Sequence, residues 1–176
     1  MKLAVSTTVL MITFLATSSF AQQSTREDFR EFCKAEEGRW IGDITLVTDV
    51  PGIGKNGDKV IANYEAQYAA DKNLMIGMFY GGGGAGTWVL VFDPGAKQIK
   101  GLWVSSGGTV EHSIIYKKDG KWRRRVKGAN ADGTKFERTG TQTVTNNGDT
   151  QTWTGIRTVG GKQRDDDREV WRRVYK

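Results

Sequence analysis

From Gly38 onward the chain alternates apolar and polar residues with a period of two, and turns rich in glycine break the pattern at short intervals. A period of two belongs to strands that bury one face. Trp40, Gly42, Ile44 and Leu46 share one face, opposite Asp43, Thr45 and Asp49. Val60, Ala62, Tyr64, Ala66 and Tyr68 alternate in the same way with Asn63, Glu65 and Gln67. Asp119-Gly120, Asp132-Gly133 and Asn147-Gly148 supply residues that tolerate positive φ, as tight hairpins require. Strands this short and closely spaced leave no room for crossover helices, so neighbours run antiparallel. The expected fold is all-β, an antiparallel barrel of about ten strands, because closure removes the edges that would otherwise aggregate.

Two segments precede the barrel. Residues 1–21 read as a secretory leader: Met1-Lys2 gives a positive start, Leu3 to Ala16 is apolar, and Ser19 and Ala21 are the small residues before a cleavage point. The apolar run is shorter than the roughly 20 residues a membrane span needs. The expectation is an exported chain, periplasmic or secreted. Residues 22–37 read as a short helix that covers one end of the barrel, with Ser24 as its cap, Glu27 three positions on, and Phe29, Phe32 and Cys33 on one face. The barrel domain then occupies residues 38–176.

Charge and composition exclude several functions. The chain carries 26 basic and 20 acidic residues, a net charge of +6. Losing Lys2 with the leader leaves 25 against 20, or +5. An exported chain rarely meets nucleic acid, so the excess points to an anionic ligand or a negatively charged envelope surface. One cysteine and one histidine make a multi-ligand zinc site unworkable. Cys33, on the apolar helix face, is expected to be an inert core thiol. Gly81 to Gly86 is followed by the strand-like Thr87-Trp88-Val89-Leu90, so it reads as a hairpin tip at the barrel mouth rather than a phosphate loop.

Gly38-Arg39-Trp40 on the first strand and Arg172 or Arg173 on the last resemble the closure of the calycin superfamily. That superfamily comprises lipocalins, fatty-acid-binding proteins and nitrobindin-like barrels. The resemblance implies a tryptophan at the barrel base with an arginine from the closing strand over its ring, a cation–π contact. It is most similar in kind to small secreted bacterial lipocalin-like domains of unknown function. Arg173-Val174-Tyr175 also resembles the Arg-x-Tyr ending of fatty-acid-binding proteins, although Pro51 to Asp58 is too short for their helix pair. Nitrobindin-like barrels hold haem through one histidine near the closing strands. His112 lies mid-chain, so no haem and no other cofactor is expected.

The expected lumen is lined by Tyr64, Tyr68, Trp88, Trp103 and Trp153. His112 joins them if the apolar face of Val110, Ile114 and Tyr116 points inward. Arg124, Arg138 and Arg157 each alternate with apolar or glycine neighbours, and they face the lumen in one register and solvent in the other. Inside, they need an anionic ligand or carboxylates such as Glu65, Glu111 or Glu137. The function this supports is a non-catalytic barrel that binds a small amphipathic or anionic molecule. The alternatives are a filled barrel with a structural or envelope-interaction role and, further off, a lumen enzyme using Glu111 or His112. No nucleophile–base pair stands out.

Overall fold

The computed structural model describes residues 22–69, 72–164 and 167–175, so the expected leader lies outside the described residues. One helix, α1 (Arg26–Glu36), precedes eleven strands. These are β1 (Gly38–Thr45), β2 (Lys59–Ala69), β3 (Leu74–Gly81), β4 (Gly84–Asp93), β5 (Gln98–Ser105), β6 (Val110–Lys118), β7 (Lys121–Ala129), β8 (Lys135–Thr145), β9 (Thr150–Val159), β10 (Lys162–Gln163) and β11 (Asp167–Tyr175). Consecutive strands pair antiparallel from β1 to β9; β9 then pairs with β11, and β11 with β1. The result is a closed antiparallel barrel of ten strands, with the two-residue β10 as an extra hairpin arm on β9. No helix among the described residues is long and apolar enough to cross a membrane.

The helix forms and stops for local reasons, which differ by one residue from the expected cap. Thr25, not Ser24, is the N-cap: its hydroxyl accepts from the Asp28 amide, and the Asp28 side chain accepts from the Thr25 amide. The Ser24 hydroxyl instead donates to the Ile115 carbonyl at 3.0 Å, which stitches the segment to β6. Phe29, Phe32, Cys33 and Glu36 recur at helical spacing and are buried in the barrel end. Gly38, at φ +112°, turns the chain into β1.

The same end holds the barrel's closure. Trp40 is 1% exposed, and the Arg173 guanidinium lies 4.1 Å from the centre of its ring. The two residues are register partners on β1 and β11. Arg173 also donates to the carbonyls of Ala35 and Glu37, and it pairs with Asp149 at 3.3 Å. The Trp40 indole donates to the Glu36 carbonyl at 2.9 Å. Arg172 points outward to Asp43 at 2.6 Å.

At the opposite end, residues 46–58 between β1 and β2 fold over the barrel mouth, with Ile53 buried. This segment rests on glycine backbone. A Cβ at Gly82 would fall 1.9 Å from the Ile53 carbonyl oxygen, and one at Gly107 would fall 1.8 Å from that of Pro51. The expected glycine hairpin tip therefore shrinks to Gly82-Gly83, the flanking glycines belong to β3 and β4, and the turn seats a cover.

Trp40→Ala should lower unfolding stability by about 3–5 kcal/mol in urea titration. Arg173→Lys should cost less but measurably, since lysine cannot stack a plane on the indole while reaching several carbonyls. Arg172→Lys should leave the midpoint nearly unchanged, because an exposed pair contributes about 0–1 kcal/mol.

Candidate functional site

Alternation sends every second residue of each strand into the barrel, and the inward set encloses a cavity of ≈ 180 Å³. Its walls include Tyr64, Trp88, Trp103, Trp153 and Trp171. The indoles do not fill the space, because glycines on the neighbouring strand let them lie against the wall. Gly77 is the register partner of Trp88, and a Cβ there would come within 2.0 Å of the indole. Gly42 stands in the same relation to Trp171, at 2.5 Å. A large side chain facing a missing one leaves an aromatic surface with room beside it.

Arg124, Arg138 and Arg157 all line the cavity, which settles the register left open in the sequence. β7 decides it: Trp122 and Val126 are buried on the face that carries Arg124. Arg124 pairs with Glu111 of β6 at 3.4 Å, and Arg138 with Glu169 of β11 at 2.7 Å. Arg157 lies 5.4 Å from the centre of the Phe136 ring. Arg124 Nε is buried without a hydrogen-bond partner among the described residues. Burial pulls the Arg124 guanidinium below its ordinary pKa, against the opposing pull of Glu111. For Glu169, burial works upward, but Arg138 and Arg124 outweigh it and hold the carboxyl below the ordinary glutamate value.

The helix contributes the group that sequence reasoning missed. The Glu36 carboxyl enters the base of the cavity. It accepts from Gln142 Nε2 at 2.6 Å and from the Tyr64 hydroxyl at 3.1 Å. Gln142 Nε2 also donates to Gln151 Oε1 at 2.8 Å, and Gln151 Nε2 donates to the Ala35 carbonyl. Burial favours the neutral acid and raises the Glu36 pKa, although Gln142, Tyr64 and the charges of Arg124 and Arg173 pull the other way. Glu36 opens a polar-looking Glu36-Glu37 pair, yet it continues the Phe29, Phe32, Cys33 face at helical spacing. That periodicity was the available signal. Cys33 is buried, and burial with the nearby Glu36 charge pushes its thiol up to about 12.

Two expected lumen residues lie elsewhere. His112 is exposed on the outer surface. β6 has Val110, Ile114 and Tyr116 on one face and Glu111, Ser113 and Ile115 on the other, so its own pattern favours the face that in fact points outward. Pairing with β7 chooses: Ser113 sits opposite Val126 and Ile115 opposite Arg124, which sends Glu111, Ser113 and Ile115 inward. His112 is thereby removed as an internal haem ligand or lumen base, whereas Glu111 faces the cavity. Tyr68 lies at the plugged end beyond the cavity, where its hydroxyl donates to the Arg30 carbonyl at 2.8 Å. Of the suggested carboxylate partners, Glu65 pairs with Arg39 and Glu137 with Lys127, both on the outside.

No protein-family model matches the sequence, and no curated protein matches it either.

The Glu36 carboxyl gives a pH signature. A raised pKa in the fold means that the folded state holds a proton the unfolded chain releases first. Stability is therefore fullest below the ordinary glutamate range and falls as pH rises through the raised value. Urea titrations at stepped pH should show this falling limb in the wild type, and Glu36→Gln should flatten it.

Proposed function

We propose that this chain is an exported calycin-like barrel that binds one small amphipathic acid in its lumen without catalysis. The observation that carries the reading is the cavity-lining Arg124, whose buried Nε has no partner among the described residues, set within aromatic walls. A buried donor left without a partner costs free energy, and a ligand carboxylate offers the acceptor. The indoles take the apolar body. A cavity of ≈ 180 Å³ suits a molecule built on a single ring, since an apolar cavity of about 150 Å³ holds benzene. The buried Glu36, Tyr64 and Gln142 network supplies further polar contacts at the base.

The second reading is a filled barrel with a structural or envelope-interaction role. It is favoured by the pairing of Arg124 and Arg138 with internal carboxylates. The cavity is also smaller than the roughly 300–1,000 Å³ of drug-sized sites. A lumen enzyme has less support, because Glu111 is engaged with Arg124 and His112 is outside.

Thermal melts with benzoate separate these readings. Benzoate in large excess over its Kd should raise the Tm, toluene should do so less, and Arg124→Gln should abolish the difference. Native mass spectrometry of the protein purified from cells should show a small retained mass that organic solvent removes. Absence of a retained mass, together with no shift from any single-ring acid, favours the filled barrel. Export has its own test. The intact mass of the extracytoplasmic form should begin at Gln22, and recovery of the full-length chain there contradicts the leader.

A further inference from the structure

We infer that the outer face of β3–β6 is a docking surface for a membrane bearing anionic lipid headgroups. Strand register places apolar side chains side by side on this outer wall. Met78 faces Thr87, which faces Val104, which faces Val110. One step along, Ile76, Val89 and Leu102 form the next row, and this row ends on His112. Met78, Tyr80, Val91, Leu102, Val104 and Val110 are all exposed, Tyr80 by 52% and Met78 by 46%. Soluble proteins seldom expose a continuous apolar patch of more than a few hundred Å² without a use for it. The opposite wall differs: the outer faces of β8 and β9 carry Thr139, Thr141, Thr143, Thr152 and Thr154, with Ile156 as a single exposed apolar residue among them.

The patch has a charged border on one side. β7 pairs with β6, and Lys121, Arg123, Arg125 and Lys127 are its outward residues from the β6–β7 turn onward. Arg125 stands beside Ile114, and Lys127 stands between His112 and Glu137, with which it pairs at 3.0 Å while both side chains stay largely exposed, so the stripe remains net basic. Lys100 lies within the patch, where its ammonium meets Asp93 at 2.6 Å. A basic stripe along an apolar face matches a lipid surface, with side chains in the shallow interfacial layer and cations among the headgroups. A second copy fits less well. Packed face to face, it would offer the stripe either its own counterpart or the β2 edge, where Glu65 is already paired with Arg39 at 3.1 Å. The inference concerns the outside of the barrel and is independent of what the lumen holds.

The test is co-sedimentation of the purified chain with phosphatidylglycerol–phosphatidylcholine vesicles and with phosphatidylcholine vesicles. Every variant shares one N-terminus, checked by intact mass, so any leader contributes equally. Binding should favour the anionic vesicles and weaken with salt. Arg125→Glu with Lys127→Glu should weaken it by at least about tenfold. Leu102→Thr with Val104→Thr keeps the charge and strand propensity, and it should also release the protein while leaving its thermal melt unchanged. Val110→Thr serves if that pair fails to fold. Lys162→Glu, on the β9–β10 arm, should change nothing. Equal binding to both vesicle types, binding indifferent to the Arg125 and Lys127 changes, or no vesicle binding would overturn the inference. So would self-association through this face without vesicle binding in sedimentation velocity.

Discussion

Arg173 holds three parts of the molecule at once. Its guanidinium stacks on Trp40, pairs with Asp149 and donates to the carbonyls of Ala35 in the last turn of α1 and of Glu37, the residue that caps it. Those carbonyls have no partner within the helix, so the arginine satisfies them as a capping group would. The same contact joins the first strand to the last. One side chain thus braces the β1–β11 seam that closes the barrel and seats the helix in its end. A buried cation would be costly alone, but here its neighbours are a ring face, a carboxylate and carbonyl oxygens.

What the lumen contains follows from that seat. Docking α1 in this position brings Glu36 within reach of Gln142 and Tyr64, and the Trp40 indole fixes the backbone at that same residue. Above this network the wall alternates indoles with glycines, which leaves space rather than a filled core. Two arginine–carboxylate pairs line the interior, one between the adjacent strands β7 and β6 and one spanning β9 from β8 to β11. A purely apolar interior would be cheaper to build, because ionised groups lose hydration when buried. These charges are kept inside by mutual pairing, and Arg124 Nε alone among the Arg124 nitrogens is buried without a hydrogen-bond partner among the described residues.

Much of this was legible in the sequence because period two and turn chemistry agree. The strands, the plugging helix and the Trp40 pairing with one of two arginines were all expected. Adjacent strand residues face opposite sides, so Arg172 and Arg173 could not both serve, and the structure selects Arg173. The site was harder to read for definite reasons. On β6 the more apolar face, with Val110, Ile114 and Tyr116, is the outer one, so its own pattern puts His112 on the wrong side and only the pairing with β7 sets its facing. Glu36 was overlooked because a glutamate next to another reads as solvated, although it completes the buried helix face. Glu169 and Trp171 alternate on the last strand but enter the lumen only through pairing with β1 and β9, which is non-local.

The central claim is that Arg173 couples barrel closure to the helix that forms the lumen floor. Hydrogen exchange resolved to α1, β1 and β11 tests it directly in the wild type and in Arg173→Lys. Loss of protection in α1 together with the facing ends of β1 and β11, with β4 to β6 unchanged, is the predicted result. If the α1 amides keep their wild-type protection while the strands loosen, or the reverse, the two are held independently and the claim fails.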